Sequence, residues 1–246
     1  MRTQITILLT LVATVMLTSS VTKAAGKYEE IQVTDGGTIS GKVLLGSAKV
    51  ESETFPITKD HVSCGTGTRD VDWVRANGDA LLDVVVYLED VAAGKAFPKE
   101  AWSIVVDQKK CHFTPYLQAM ANGADVLALN SDANWHSVHI YEIIKDKRRT
   151  LYNFSQPQSA LGISKQIKLR QSNILKFECD AHNYMHGWVF AANNPYYAVV
   201  DDNGMFTITD VPPGNYVIKS WHGRLGEQES NVEVKANDNS AVTFSY

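Results

Sequence analysis

Short segments with a β-type pattern, each bounded by turn residues, constrain the fold of this chain more than any other sequence feature. Apolar and polar side chains largely alternate over residues 38–45, whereas residues 81–88 are apolar almost throughout. The first pattern predicts a half-buried strand and the second a strand buried on both faces. Residues 201–204 (Asp-Asp-Asn-Gly) and 212–215 (Pro-Pro-Gly-Asn) are typical turn sequences. Since no long amphipathic helix pattern is present, the sequence predicts an all-β fold, either one sandwich or a pair of them.

Residues 145–172 interrupt this series of strands. The segment is polar, basic in patches and only weakly periodic. We therefore expect a long surface loop here, with one short strand near residues 167–169.

The first 25 residues have the composition of a secretory signal peptide. Their only charged residues are Arg2 and Lys23, an apolar run covers residues 5–17, and residues 24–25 are both alanine. Later segments do not reach the roughly 18 apolar residues that a membrane-spanning helix requires. We expect cleavage and export to the periplasm or beyond the cell, although the same segment, if retained, would act as a membrane anchor.

Charge and length limit the possible partners and the number of domains. Without the first 25 residues the chain has 21 Lys and Arg against 27 Asp and Glu, a net charge of about −6 without long runs. Nucleic acid is therefore not an expected partner. The roughly 220 remaining residues suffice for one large β domain or two small ones.

Three cysteines in an exported protein leave one without a disulfide partner. Three disulfide pairings are possible. The alternative is that all three cysteines are unpaired and serve as small buried apolar residues. Cys179 lies in the segment richest in potential metal ligands. We therefore predict a Cys64–Cys111 disulfide and a free Cys179 thiolate.

The segment around Cys179 has the donors of a metal site. A predicted strand, residues 174–178, leads directly into Cys179, and His182 and Met185 follow at +3 and +6. A thiolate, imidazoles and a weak axial thioether are the ligands of a blue-copper centre. A fixed loop of this kind limits the change in geometry between Cu(I) and Cu(II), which favours electron transfer.

A second histidine must come from elsewhere in the chain, and His136 and His139 are the candidates. Positions 136 and 139 point to opposite faces of an extended strand, so only one of them can face the metal. We predict that His136 is the ligand, because it is nearer the polar loop that ends the preceding strand. His139 is expected to point away or to contact solvent. His186 provides an alternative, because replacement of Met185 by His186 would give a ligand set that suits zinc.

These residues resemble the cupredoxin family. The resemblance runs through Phe113, Pro115, Gly123, Asn130, Asp132, His136, Val138, Cys179, His182 and Met185. The Cys-x2-His-x2-Met loop is similar to the short ligand loop of amicyanin. The resemblance implies one type 1 copper ion with His136, Cys179 and His182 as equatorial ligands and Met185 as the axial ligand. It also implies that Asn130 steadies the first ligand strand.

The flanking segments resemble a second family, the carboxypeptidase regulatory-like, transthyretin-type β sandwich. The resemblance rests on residues 38–43, 83–88, 202–208 and 213–216. The whole arrangement is similar to exported proteins of the methylamine-utilisation-like group. It implies a cupredoxin-like Greek-key sandwich packed with a discontinuous transthyretin-like sandwich. The implied segments are a signal peptide (1–25), the first part of the regulatory-like sandwich (34–97), the copper domain (98–194) and the second part of the regulatory-like sandwich (195–246).

The expected function is electron transfer to or from a partner such as a cytochrome or an oxidoreductase. The chain has no Cys-x-x-Cys-His, Gly-x-Ser-x-Gly or His-Glu-x-x-His motif and no His-x-His cluster. We therefore expect neither attached haem nor hydrolase or multicopper-oxidase activity, and no enzymatic role. Two alternatives stay open. One is a non-redox module that binds a glycan or a protein through the regulatory-like domain, and the other is an accessory protein that delivers copper.

Overall fold

The computed structural model describes residues 28–246 and is built almost wholly of β strands. The signal peptide expected for residues 1–25 lies outside the described residues. The all-β prediction is confirmed. The described part of the chain has one single-turn α-helix, α1 (His61–Cys64), and one 3₁₀ turn (Lys99–Trp102). None of the helices in this part is long and apolar enough to cross a bilayer.

The strands follow one another as β1 (Glu29–Glu30), β2 (Gly37–Leu44), β3 (Glu51–Pro56), β4 (Thr68–Val74), β5 (Ala76–Asn77), β6 (Ala80–Leu81), β7 (Val84–Leu88), β8 (Ala93–Gly94), β9 (Ser103–Lys109), β10 (His112–Thr114), β11 (Leu117–Ala121), β12 (Asp125–Asn130), β13 (His136–Ile144), β14 (Lys147–Gln156), β15 (Ser159–Gln166), β16 (Ile174–Cys179), β17 (His182–Ala192), β18 (Tyr197–Val199), β19 (Met205–Val211), β20 (Gly214–His222), β21 (Gly226–Val234) and β22 (Asn239–Ser245).

Two sheets formed by β9 to β17 pack face to face, and we call this unit the central sandwich. One sheet has the order β10-β9-β12-β15 and the other the order β11-β17-β16-β13-β14. Their inward side chains form one apolar core, because alternate residues of each strand point between the sheets. Val126, Ile140 and Phe177 are among its fully buried members.

Strands from both sides of the central sandwich form a second unit, the flanking sandwich. One of its sheets has the order β18-β7-β20-β21, and the other has the order β19-β2-β6-β5 with β22 also paired to β2. The second unit has its own apolar core, which includes Ile39, Leu88, Phe206 and Ile218. The central sandwich is thus inserted between strands that belong to the flanking one.

An apolar interface joins the two sandwiches. Val85 of β7 packs in one buried cluster with Leu117 of β11 and Phe190 of β17. At the edge of this interface the rings of Trp188 and Trp221 lie 5.3 Å apart, edge to face. Close apolar packing of this kind fixes the two units relative to each other.

The hairpin of β3 and β4 covers one end of the central sandwich. The two strands form a sheet of their own, and α1 lies in the connection between them. Ile57, Cys64 and Val71 from this region are buried in the core of the central sandwich. Residues 34–97, which were predicted to form the first part of the regulatory-like sandwich, therefore also contribute to the core of the central sandwich.

The expectation of a long surface loop over residues 145–172 was wrong. Most of this segment forms β14, which pairs with β13, and β15, which pairs with β12. Both are edge strands, and most of the β14 side chains are exposed or half-buried. Polar residues suit such edges, so an apolar alternation that would reveal the strands is largely missing.

Glu142 of β13 anchors the turn that precedes β16. Its buried carboxylate accepts hydrogen bonds from the backbone N–H groups of Arg170 (3.1 Å), Gln171 (2.8 Å) and Ser172 (3.1 Å) and pairs with Arg149. Burial opposes ionisation of this carboxyl, but the Arg149 guanidinium and the backbone donors outweigh it and lower the pKa of Glu142.

Glu142→Gln is expected to lower the free energy of unfolding by about 2 kcal/mol at neutral pH, because the amide loses the charge-assisted bonds. The lowered pKa means that the carboxylate stabilises the fold above its ordinary pKa of 4.5 and progressively less as the pH falls below that value. Urea denaturation of both proteins from pH 7 to pH 3 measures the difference. A constant difference across this range would contradict the assignment.

Candidate metal centre

Cys179 ends strand β16 and is held by both neighbouring strands. It lies opposite Val138 of β13 and opposite His182 of β17. The preceding residue, Glu178, lies opposite His186. Residues 183–185 of β17 therefore have no partner in β16 and form an insertion between His182 and His186. An insertion of this kind bends a strand and redirects its side chains. The Cys-x2-His-x2-Met spacing thus corresponds to an irregularity in the ladder at the end of the sheet.

His136, Cys179 and His182 converge on one point in the protein interior. The Nδ1 atoms of the two histidines are 3.2 Å apart. The Cys179 Sγ lies 3.7 Å from His136 Nδ1 and 3.5 Å from His182 Nδ1. The three residues are 0%, 3% and 2% exposed, respectively, so all three donor atoms are shielded from water. We call this set the donor triangle.

The dimensions of the donor triangle fit a metal ion. A point equidistant from its three atoms lies about 2.0 Å from each, the usual bond length from a first-row metal ion to imidazole nitrogen and slightly short of that to thiolate sulfur. A small outward movement of the sulfur would complete the match. The residues present therefore fit the metal that the sequence predicts.

A carboxylate orients each of the two imidazoles. His136 Nε2 lies 3.0 Å from Asp132 Oδ2, and His182 Nε2 lies 2.9 Å from Asp60 Oδ2. A longer contact of 3.4 Å joins His136 Nε2 to the Asn134 amide nitrogen. Because a carboxylate only accepts hydrogen bonds, each Nε2 carries the hydrogen and each neutral ring directs an Nδ1 lone pair into the triangle. A carboxylate bonded to the outer nitrogen of a histidine is the usual support of a metal ligand.

The protonation states of the two histidines also suit ligation. Burial lowers the pKa of His136 and of His182, and the adjacent carboxylates only partly oppose this effect. Both imidazoles are therefore neutral near pH 7. Burial raises the pKa of the Cys179 thiol, against the influence of nearby backbone N–H groups. The Cys179 thiol can donate to only one of the two Nδ1 lone pairs, whereas a cation bound there would satisfy both.

Met185, the predicted axial ligand, is buried in the same apolar cluster as Cys179. Tyr184 is also in this cluster, and its ring centre lies 5.7 Å from that of His182. The guanidinium carbon of Arg69 lies 4.9 Å above the Tyr184 ring. Packed apolar and aromatic side chains therefore border the donor triangle on this side.

The two other histidines of this region make contacts of their own. His139 lies on the opposite face of β13 from His136, and it contacts Asp180 at 3.0 Å and Thr150 at 2.8 Å. His186 is hydrogen-bonded to the Tyr116 hydroxyl at 2.8 Å and stacks on Trp73. Within residues 28–246, no cluster of three potential His, Cys, Asp or Glu ligands includes either His139 or His186.

Asn130 supports the segment that precedes His136. Its side-chain amide donates to the Asn134 carbonyl at 2.9 Å and to the Gln156 carbonyl at 3.0 Å, and its side-chain oxygen accepts from the Asp132 N–H at 3.0 Å. The buried Asn130 amide thus fixes Asp132, whose carboxylate orients His136. It also fixes the end of β14, the strand that pairs with β13.

Cys64 and Cys111 form a disulfide that lies beside the donor triangle. Its two sulfur atoms and a ring nitrogen of His182 all lie within 4.8 Å of one another, and Cys111 is similarly close to His136 and Asp132. Cys179 is the free cysteine. The sequence predicts that Cys64 pairs with Cys111, but it does not predict that this disulfide lies next to the site.

Asp60 has a role that the sequence did not reveal. It comes from the connection between β3 and β4, far from the other site residues in the chain, and no spacing pattern links it to His182. Asp132 was visible only as part of the cupredoxin resemblance. Its position four residues before His136 is the one local signal of its contact with that ring.

Three solved structures resemble part of the chain. A purple cupredoxin from Nitrosopumilus maritimus matches at 16% identity and TM-score 0.29, over 37% of this chain and 98% of its own. Amicyanin from Paracoccus versutus matches at 16% identity and TM-score 0.30, over 39% of this chain and 84% of its own. A copper-containing nitrite reductase from Thermus scotoductus matches at 16% identity and TM-score 0.29, over 43% of this chain and 25% of its own.

No protein-family model matches the chain, and no curated protein matches it. The likeness to these structures is distant and partial. The function is therefore argued from the geometry of the site.

Proposed function

We propose that this protein is a one-electron carrier with a single copper ion held by His136, Cys179, His182 and Met185. The observation that carries the proposal is the donor triangle, in which one sulfur and two imidazole nitrogens lie 3.2 to 3.7 Å apart around one point. A soft thiolate combined with two imidazoles is the donor set of blue-copper sites.

Each residue around the site has a definable task. A copper ion bound there would supply one-electron chemistry, because it alternates between Cu(I) and Cu(II). The Nδ1 atoms of His136 and His182 would bind the copper ion. Asp132 and Asp60 hold the two imidazole rings in the orientation that this binding requires. Cys179 would bind as the thiolate, and its proton would pass to solvent. The β-sheet framework keeps the donors in place, so little rearrangement accompanies a change of charge.

Copper accounts for the donor set better than zinc does. Structural zinc prefers four strong nitrogen, sulfur or oxygen ligands in a tetrahedron, whereas the donor triangle has three. His186, the fourth ligand of the zinc alternative, is bonded to Tyr116 and stacked on Trp73. The remaining nearby donor in sequence is the Met185 thioether, a soft ligand that suits copper.

Titration with Cu(II) tests the function directly. We expect one bound equivalent and an intense visible absorption from thiolate-to-copper charge transfer. Met185→Leu should keep the colour and shift the reduction potential, because a weak axial ligand tunes the potential and the triangle stays intact. A colourless, copper-loaded wild-type protein would remove the electron-carrier proposal.

The two carboxylates give a second prediction for the same site. Asp132→Ala and Asp60→Ala should each weaken copper binding by about 10- to 100-fold, because supporting partners of this kind orient the ligand rings. Competition with a chelator measures the affinity. Asp180→Ala is the matched control, since Asp180 bonds His139 on the other face of β13. Equal losses in all three variants would show a general structural effect.

We also propose that the protein is exported to the periplasm. The Cys64–Cys111 disulfide suits an oxidising compartment. The expected partner is a cytochrome or another oxidoreductase that docks transiently, and the chain itself acts as a carrier without catalysing a reaction of its own.

A cleft between the two sandwiches favours a second candidate function, that of a binding module. It has a volume of about 610 Å³, and its lining includes Tyr28, Phe97, Trp102 and Asn173. Aromatic faces combined with a few polar groups are typical of small-ligand sites and suit a glycan. Glycan-array binding that persists after treatment with a chelator would support this function over electron transfer.

A further inference from the structure

The disulfide next to the donor triangle is placed where two thiolates would be useful to a metal. Cys64 and Cys111 are 2% and 0% exposed, and their sulfurs together with a ring nitrogen of His182 fit within 4.8 Å. As a disulfide, these sulfurs are poor metal ligands, because the thiolate is the form that binds metals. The same atoms after reduction would be two strong soft donors beside an imidazole.

The contacts that orient the two histidines also position the two cysteines. Asp60, which bonds His182, immediately precedes α1, and Cys64 is the last residue of that helix. Asp132, which bonds His136, accepts the backbone N–H of Cys111 at 2.8 Å. Each cysteine therefore lies next to a fixed point of the copper site, and its position does not depend on the disulfide alone.

Arg69 supplies a further connection that survives reduction. Its guanidinium donates to the Cys64 carbonyl and to the Cys111 carbonyl, both at 2.7 Å. Because these bonds join the backbones of both cysteines, the two side chains stay near each other when the sulfur–sulfur bond is broken.

The segment that carries Cys64 can open to a reductant. Among residues 58–66 only Cys64 is buried, and Val62 is 96% exposed. The α1 helix is a single turn without a side-chain cap. Segments with so few buried contacts open locally at low free-energy cost.

We propose that reduction of the Cys64–Cys111 disulfide creates a second copper site, specific for Cu(I), from the two thiolates and His182. A dithiol reductant transfers two electrons: it is oxidised to its own disulfide, the Cys64–Cys111 sulfur–sulfur bond breaks, and its two protons pass to the cysteine sulfurs. Binding of Cu(I) then displaces those protons to solvent. The inference rests on the proposed function for the supply of copper and for the competition between the two sites.

Cu(I) fits this second set better than zinc or Cu(II). Thiolates select soft ions, and the three donors fall short of the four ligands that zinc prefers. Since His182 belongs to both donor sets, the two sites compete for it. Reduction of the disulfide would therefore loosen the electron-transfer site and retain copper as Cu(I) on the dithiol, which suits storage or handover of the ion.

The test uses the full chain with Cys179→Ser, so that the donor triangle has no thiolate. The oxidised variant and the variant reduced anaerobically with a phosphine are each given Cu(I) and then challenged with a chromogenic Cu(I) chelator. We expect the reduced variant to retain one equivalent under conditions in which the oxidised variant retains none. X-ray absorption of the retained ion should show two sulfur ligands and one nitrogen ligand.

Two controls separate the dithiol from other effects. Alkylation of the reduced Cys64 and Cys111 thiols should eliminate retention without changing the sequence further. Adding His182→Ala should weaken retention, and the matched His139→Ala should leave it unchanged because His139 faces Asp180. Retention that survives alkylation would overturn the proposal, as would equal retention by the oxidised and reduced variants.

Folding of the reduced variant is followed by far-UV circular dichroism. Loss of the β-sheet spectrum on reduction would also overturn the proposal, because the site requires the folded arrangement of the two cysteines. Failure of this proposal is distinguishable from failure of the electron-carrier function, which is read from the visible spectrum of oxidised wild-type protein loaded with Cu(II).

Discussion

Cys179→Ser is expected to abolish the visible absorption of the Cu(II)-loaded protein. Cys179 supplies the one thiolate of the donor triangle, and its sulfur lies 3.7 and 3.5 Å from the two ligand nitrogens. A serine hydroxyl is smaller and harder, and it does not ionise at neutral pH, so charge transfer from sulfur is lost. Absorption spectroscopy measures the colour, and competition with a chelator measures the accompanying loss of affinity.

The chain offers a matched control for the histidine part of the same prediction. His136→Gln should remove the colour as well, whereas His139→Gln should retain it, because the two rings lie on opposite faces of β13. His139 is engaged by Asp180 and Thr150 and stays outside the triangle. Persistent colour in Cys179→Ser, or its loss in His139→Gln, would mean that the ligands are assigned wrongly.

The double replacement Cys64→Ser/Cys111→Ser should have the largest effect on stability. The disulfide joins residues 47 positions apart, and closing a loop of that length restricts the unfolded chain by about 4 kcal/mol. We therefore expect the free energy of unfolding to fall by about that amount, as measured by urea denaturation of oxidised protein. This is a large share of the roughly 5 to 15 kcal/mol that stabilises a typical domain.

The disulfide variant also tests how the metal site depends on the hairpin that covers it. Because Asp60 lies at the start of α1, greater freedom of this segment should weaken the His182 contact and hence copper binding. The Cys179→Ser protein, reduced and alkylated at Cys64 and Cys111, is the chemical counterpart for the stability measurement. Unchanged unfolding free energies in both forms would show that the disulfide does not constrain the unfolded chain as expected.

The sequence predicted the core of the site because its ligands follow local rules. Cys179, His182 and Met185 lie at +0, +3 and +6 after a strand, and strand alternation separated His136 from His139. Those rules depend only on neighbours in the chain. The structure brings His136, Cys179 and His182 together, and metal binding by these residues stays a prediction.

The outer contacts of the site were not predictable in the same way. Asp60 reaches His182 across 122 positions of sequence, and tertiary packing alone decides that contact. The same reason applies to the disulfide, whose nearness to His182 does not follow from the pairing of Cys64 with Cys111.

The fold class was predictable because buried strands have strong apolar patterns. Residues 81–88 include β7, whose Val84, Val85 and Val86 are fully buried. By contrast, β14 and β15 lie at the edges of their sheets and lack such a pattern. Backbone hydrogen bonds to β13 and β12 hold these two strands in place. Backbone hydrogen bonds leave no periodic pattern in the sequence, so the two strands could not be predicted from it.

The parallel pairing of β2 with β22 has a consequence for the order in which the chain acquires its structure. Ser40 and Asn239, which are hydrogen-bonded across this pair, are 199 residues apart. As the chain emerges N-terminus first, every strand of the central sandwich becomes available before β22 does, so that unit is free to form first. Until β22 emerges, the edge of β2 that pairs with it stays unpaired. Contacts between residues this distant in the chain also form slowly. We expect chaperones that shield exposed strands to act on this protein at that stage.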